Sequence, residues 1–247
     1  MVPVLHSGGC LYLASSDGRG STGHDRVAAI RRLGAAARAH PASWELALRL
    51  QLALVARSAW AQGRGVVPLV SFSDGRTFRT AVRLDRSPQR LEERNLGLLS
   101  HCPACGDQQV QTLHGLRGWD PCPAGCRAPL SVSGPLWIGG LQDVATLADM
   151  VGEASRHPQG VETPARRLLD RLRADPGDLP RVWPLALIGR QLGKGPPSLS
   201  RLIPALRRNG HRAGGSGIMA GQVRSDAPWA QILATAARLE GQDRADC

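Results

Sequence analysis

Lysine is almost missing from this sequence: of its 31 basic residues, all but Lys194 are arginine. Aromatic side chains are scarce as well, at 4% of 247 residues. A packed core must therefore be built from Leu, Val, Ala and Ile. No apolar run reaches the roughly 18 residues of a membrane-spanning helix. The stretch from Met1 to Leu13 has neither a basic start nor a long apolar segment. No secretory signal and no membrane segment are expected, and a cytoplasmic protein is. No Ser-His-Asp set and no HExxH string stands out, the seven histidines are scattered, and no internal repeat is seen. Acidic residues number only 20, which leaves a net charge of +11. Such a surplus points to a polyanionic partner, usually nucleic acid. A GC-rich genome, which inflates Arg and Ala together, would give the same excess. Residues 1–90 hold 13 basic and 5 acidic residues, against 18 and 15 over 91–247, so a basic surface is expected mostly on the first half.

Gly9 to Ser15 reads as a buried strand opening into a loop. Val27 to Arg38 reads as a helix, and a second one starts at Ser43 and runs to about Gln62. The second has apolar positions on nearly every side and should be well buried. Val66–Phe72 and Thr77–Leu84 flank Asp74-Gly75 and read as an antiparallel hairpin. Ser87 to Asn95 is polar and contains a proline, which marks a domain boundary. Beyond it, short strands up to Leu136 surround four cysteines. Helices are expected at Leu141–Ser155, Pro164–Ala174, Pro180–Leu192, Pro197–Asn209 and Trp229–Leu239, with a flexible loop at Gly214–Gly217.

The cysteines carry the strongest chemical signal. Cys102, Cys105, Cys122 and Cys126 spell C-x2-C-x16-C-x3-C. Each close pair can present two thiolates to one tetrahedral ion, and neighbouring Pro and Gly favour tight knuckles. With four sulfur ligands the ion has no open position, so the site is read as structural zinc. His101 adjoins it as a spare ligand. Cys10 reads as a core residue and Cys247 as a tail residue. Gly18, Gly20 and Gly23 form G-x-G-x-x-G after a strand, the pattern of a nucleotide-binding loop. The next segment is helical where a strand is needed, so a mobile surface loop fits better. Arg201, Arg207, Arg208, His211 and Arg212 cluster at the Pro197–Asn209 helix, whose Leu199, Leu202, Ile203 and Leu206 give it one buried face. The pair resembles a small helix-turn-helix or winged unit with a basic edge, suited to phosphate contacts.

Six strings in order resemble the tRNA (guanine(26)-N(2))-dimethyltransferase family. They are Gly8-Gly9 to Leu13 with Asp17; Glu45, Ala47, Leu48 and Arg49; Pro68, Leu69, Ser71, Phe78, Arg79, Val82 and Arg83; Cys102-Pro103 with Cys105-Gly106; GPLWIG over Gly134–Gly139 with Leu141; and Arg224 with Asp226-Ala227-Pro228.

The resemblance implies an α/β chain. Residues 1–90 would be the last strands and helices of a class I (Rossmann-like) methyltransferase sheet. Residues 91–247 would be an α+β tRNA-binding domain with a zinc knuckle. It further implies methyl transfer from S-adenosylmethionine to the exocyclic amine of guanine 26 in tRNA. The family's catalytic D-P-x-G-x-P segment, which precedes the GG-x-L strand, has no counterpart here. The chain is therefore expected to be truncated, to bind no donor by itself and to carry no catalytic residue. An incomplete sheet is expected to self-associate. Arg79, Arg83, Arg207, Arg208 and Arg224 are the candidate tRNA contacts. The alternatives are a non-catalytic tRNA-binding module and a nucleotide-binding oxidoreductase using the glycine triplet.

Overall fold

The computed structural model describes residue 6, residues 8–175 and residues 177–245, with side chains through residue 239. Cys247 lies outside the described residues. Helix α3 (Ser43–Trp60) organises the first part of the chain. It contains neither glycine nor proline and is rich in Ala and Leu, the best helix formers. Leu46, Leu48, Leu50 and Leu52 are all fully buried. Each contributes about 1.5–3 kcal/mol over an exposed state.

The helix is buried nearly all round because two sheets flank it. One consists of β1 (Cys10–Ser15), β2 (Gly65–Ser73) and β3 (Phe78–Asp85), in the order β1-β3-β2. The other consists of β4 (Leu96–His101), β5 (Gln108–Thr112) and β6 (Ser131–Trp137), in the order β5-β4-β6. All pairings within both sheets are antiparallel. Ala47, Leu48 and Leu52 of α3 join the core of the first sheet, and Leu46 and Leu50 meet Leu99 and Leu136 of the second.

The β2–β3 hairpin turns where expected. The Asp74 carboxylate accepts the amides of Arg76 and Thr77 at 2.9 and 2.8 Å, and Gly75 takes φ +89°. Pro68 sits beside a register shift in β2, a place where a missing donor is tolerated. The outer edge of β2 is closed by Gln142, whose amide bonds both the N–H and the C=O of Ser71 at 2.9 and 2.7 Å.

Before α3 lie α1 (Gly18–Ser21) and α2 (Arg26–Leu33). The second ends earlier than the expected Arg38 because Gly34 turns left-handed at φ 57°. Beyond β6 come α4 (Val144–Arg156) and α5 (Thr163–Arg173), then β7 (Val182–Pro184), α6 (Leu185–Leu192), α7 (Leu199–Arg208), β8 (Ala213–Gly215), β9 (Gln222–Ser225) and α8 (Trp229–Ala245). The third sheet has the order β7-β9-β8. Strand, two helices and returning hairpin give the arrangement of a winged unit.

Three expectations are corrected here. β1 is only partly buried, and Cys10, read as a core residue, is exposed. Residues 182–184 open the unit as a strand, where a helix from Pro180 was expected. Gly214–Gly217 is not a loose loop: β8 pairs with β9, and the Gly217 amide is held by Asp175 at 2.6 Å and its carbonyl by Arg171 at 2.7 Å. The glycine serves close approach, since a Cβ there would meet the Arg171 carbonyl at 3.1 Å.

The polar stretch before Asn95 is also knitted in. Glu92 accepts from Trp60 Nε1, the Val66 amide and the Gln89 amide at 2.6, 2.8 and 2.8 Å. The core of the first sheet includes Trp137, Leu141, Leu147, Leu172 and Ile218, so packing continues across residue 90.

Candidate functional site: a four-cysteine centre beneath a basic helix pair

The sulfurs of Cys102, Cys105, Cys122 and Cys126 all lie within 4.8 Å of one another. The first pair sits on the turn between β4 and β5, where Gly106 takes φ +92° and its amide bonds the Cys102 carbonyl at 2.9 Å. The second pair turns through Gly125, at φ +70°, whose amide bonds the Cys122 carbonyl at 2.9 Å. The Asp107 amide points to the Cys105 sulfur at 3.5 Å. Burial pushes the Cys105 thiol well above its ordinary pKa. Burial works the same way on Cys102, but the amides of Cys105 and Ala104 outweigh it and hold that thiol below its ordinary value. Four soft donors converging without a competing acid suit a tetrahedral thiophilic ion. His101 stands apart from the cluster, its ring edge-on to His40 at 4.9 Å.

The centre is wedged against the winged unit. Trp183 Nε1 donates to the Gly106 carbonyl at 2.9 Å, and Gln191 donates to the Ala104 carbonyl at 3.1 Å. The Gln108 amide pairs with both backbone groups of Val182 at 2.8 and 3.2 Å, which stitches β5 to β7. Cys102, Cys105 and Cys122 share one apolar core with Trp183, Leu187, Ile188, Leu202, Leu206 and Trp229. Leu202 and Leu206 are fully buried, with Leu199 and Ile203 packed beside them, so α7 turns the expected face inward.

Its other face is cationic. Arg207 and Arg208 are exposed at the end of α7. Arg207 Nε donates to the Ala213 carbonyl at 2.8 Å, and among the described residues nothing engages the Arg208 guanidinium. Arg212 is paired with Asp178 and Asp226 at 2.9 and 3.1 Å. Counting charge by halves hides a signal that the sequence does carry. Residues 179–225 contain eight basic residues and no acidic one, and they coincide with this unit.

The other candidate contacts lie elsewhere. Arg79 and Arg83 share one face of β3, two pleats apart. Arg79 bonds the Tyr12 hydroxyl at 3.2 Å, and Arg83 pairs with Asp85 at 2.9 Å. Arg224 departs from the expectation. It is 2% exposed, and all five of its N–H groups are used. Nε and Nη2 grip Asp175 at 2.7 and 2.9 Å, Nη1 and Nη2 grip Glu45 at 2.8 and 3.0 Å, and Nη1 also bonds the Leu179 carbonyl. No donor is left for a phosphate.

Arg49, also fully buried, completes the cluster. It donates to Glu45 at 2.8 Å and to the carbonyls of Trp137, Gly139, Gly177 and Leu179 at 2.8–3.2 Å. Burial opposes the charge on Arg224, yet Glu45 and then Asp175 overcome it and push its pKa up. Burial likewise works to raise Glu45, but Arg224 and Arg49 prevail and hold it below the usual carboxylate range.

The glycine triplet makes no phosphate cradle. Gly18–Ser21 is a single helical turn, not the mobile loop expected, with Gly20 and Ser21 buried. Its N-terminus is already occupied by the Asp17 carboxylate, which accepts the Gly20 amide at 3.1 Å and pairs with Arg32 at 2.7 Å. Gly23 is needed because a Cβ would fall 2.2 Å from the Arg38 backbone.

Three antiparallel sheets packed around helices make this an α/β protein. A solved structure titled as Trm1 from Pyrococcus horikoshii with S-adenosyl-L-methionine overlays it with a TM-score of 0.74 at 23% identity, covering 92% of this chain and 58% of that one. The family model for N2,N2-dimethylguanosine tRNA methyltransferase matches residues 1–237, and the chain belongs to that family. Among curated relatives, the tRNA (guanine(26)-N(2))-dimethyltransferase of Aeropyrum pernix is 30% identical over 205 residues, which is 81% of this chain and 49% of that protein. The protein of the same name from Methanosarcina mazei is 26% identical over 199 residues, 80% of this chain and 51% of that one. The chain thus spans about half the length of these relatives. Among the described residues no helix is long and apolar enough to cross a membrane.

Proposed function

We propose that these residues form the tRNA-holding part of a tRNA (guanine(26)-N(2))-dimethyltransferase, stapled by zinc at Cys102, Cys105, Cys122 and Cys126. The observation that carries the reading is the acid-free stretch 179–225, with seven cations besides the buried Arg224, on a winged unit braced by the cysteine centre. Arg207 and Arg208 on α7, and Arg79 and Arg83 on β3, are the residues assigned to tRNA phosphates. Arg224 is assigned to the fold instead. Zinc, when bound, is a closed site with no position for substrate. The cysteine residues then fix Gly106 and Ala104, and through them β7 and α6.

The methyl donor is assigned to residues outside this segment. A class I donor site lies at the carboxyl ends of adjacent parallel strands, and the strand pairs described here are antiparallel. The division of labour falls near residue 90, with the end of the methyltransferase sheet before it and the tRNA-holding part after it. The competing reading is a tRNA-binding module with no catalytic partner.

Two measurements test this. In a gel shift, these residues should retard tRNA with an affinity that falls steeply with salt, because phosphate contacts release counterions. Salt-insensitive or absent retardation sinks the proposal. In titration calorimetry, S-adenosylmethionine should show no micromolar binding to these residues. Tight binding would move the donor site into them.

A further inference from the structure

A groove of about 710 Å³ opens between β5, the loop 113–120 and the start of β7. Its size falls within the ~300–1,000 Å³ of small-ligand sites. Three charged side chains line it: Arg117, Asp120 and Arg181. Each is held from behind. The Arg117 amide donates to Gln111 Oε1 at 2.7 Å, and Gln111 Nε2 donates to the Gly118 carbonyl at 3.3 Å. Gln109 Nε2 donates to the Asp120 carbonyl at 3.0 Å. Arg181 lies over the Trp183 ring, 5.6 Å from its centroid, and donates to the Asp226 carbonyl. The run Gln108-Gln109-Val110-Gln111 thus has an account: Gln108 ties β5 to β7, and the other two glutamines tie the loop to β5.

What these bonds leave unused is informative. Among the described residues, nothing engages the guanidinium of Arg117 or the carboxylate of Asp120. Arg181 has one bonded nitrogen and spare donors. A loop held this firmly by its backbone, with its charged ends free, is preorganised for a ligand carrying both signs of polarity. Two guanidiniums match a phosphodiester. Asp120 shares the groove lining with them, and Asp107 and Asp226 also act on Arg181, so the groove does not suit a featureless polyanion. It suits a unit with an anionic part and a donor edge. An unpaired nucleotide is such a unit, and guanine offers two adjacent N–H groups to a carboxylate. A duplex would hide that edge, whereas RNA readers take splayed, unstacked bases.

We propose that this groove seats one unpaired nucleotide of the bound RNA, with Arg117 and Arg181 on its phosphate and Asp120 on the donor edge of its base, guanine preferred. The proposal rests on the tRNA-holding reading but uses residues separate from Arg207 and Arg208.

The test has two arms, both on the full chain. First, tRNA affinity is measured against salt for wild type, Arg117→Ala, Gln111→Ala and an Arg207→Ala/Arg208→Ala control. Arg117→Ala should weaken binding about tenfold and make the salt slope shallower by about one. Gln111→Ala should weaken it with the slope unchanged, because it removes preorganisation and no charge. Second, GMP and UMP are titrated while the amide resonances of Gly115–Asp120 are followed. GMP should shift them at lower concentration than UMP, and Asp120→Asn should erase the difference. Full tRNA affinity in Arg117→Ala and Gln111→Ala, with weakened binding in the α7 control, would overturn the groove and leave the tRNA reading standing. Equal response to GMP and UMP would overturn the base contact. Failure of wild type to bind tRNA removes both.

Discussion

Arg49 and Arg224 lie in the strings that resemble the family, whereas Arg207 and Arg208 lie in none. The first two are buried, and their donors are all committed to Glu45, Asp175 and backbone carbonyls. The other two stand in solvent, and α7 owes its position to apolar side chains and to the cysteine centre behind it. An arginine within a string that resembles a nucleic-acid-handling family is easily assigned to phosphate. Here those two tie α3 to β6, to residues 175–179 and to β9. The exposed ones are recognisable only by the lack of acids around them. Each way of disturbing the two regions should separate these roles.

The largest effect should come from the cysteine centre. Apparent binding energies of structural zinc sites run to roughly 10–16 kcal/mol, comparable to a typical domain's whole stability. Chelation, or Cys105→Ser, should remove amide-exchange protection from α6, α7 and β7 while α3 stays protected. Loss of tRNA retardation should accompany it. If α6 and α7 keep their protection without metal, the centre does not brace them.

Next in size is the buried charge cluster. Glu45→Gln leaves two guanidiniums sharing one carboxylate in the interior. Removing one partner of a buried pair costs about 3–5 kcal/mol, read as a lowered urea midpoint. The acid side gives a second check. Arg224 and Arg49 hold the Glu45 pKa below its unfolded value despite burial. Its contribution is therefore fully present above the unfolded glutamate pKa and is lost as pH falls through the folded one. Wild type should lose stability steeply through the acid carboxylate range, and Glu45→Gln should lose less over the same range. Parallel pH curves would mean that Glu45 carries no linked proton.

How much of this is legible in the sequence follows from which forces are local. α3, the β2–β3 hairpin and the inward face of α7 are readable because periodicity and an Asp-Gly turn act over a few residues. The four cysteines are readable because metal ligation demands spaced pairs. Three things are not. β7 is three residues long and takes its state only by pairing with β9 across 40 positions. Gly214–Gly217 reads as loose because glycine permits both a free loop and a close approach, and only the neighbours decide. Arg224 reads as exposed because its partners, Glu45 and Asp175, lie 179 and 49 residues away. Electrostatic pairing at that range leaves no local trace.

A middle-sized effect tests the junction between the regions. Gly106 has φ +92°, and a Cβ would come 2.8 Å from Leu187 Cδ2 on α6. Gly106→Ala therefore adds left-handed strain to overpacking, each worth about 1–3 kcal/mol. It should lower the melting temperature and reduce tRNA affinity in step, because the same contact places α6. Destabilisation with undiminished affinity would uncouple the knuckle from the basic face.

The smallest change in stability should come from the arginines assigned to tRNA. Arg208 has no partner among the described residues, so Arg208→Ala should stay within about 0.5 kcal/mol of wild type. Arg207→Ala also gives up a hydrogen bond to Ala213, worth about 1 kcal/mol. Against tRNA the order should reverse. Removing one phosphate-binding arginine should make the dependence of log affinity on log salt shallower by about 0.7–0.9, so the double variant should be shallower by nearly twice that. Glu45→Gln, measured where it is still folded, should keep the full slope, since it removes no exposed cation. The two regions are then told apart by opposite signatures, stability without slope in one and slope without stability in the other. A double variant that keeps the wild-type slope would place the tRNA contacts elsewhere, with Arg79 and Arg83 on β3 the next to substitute.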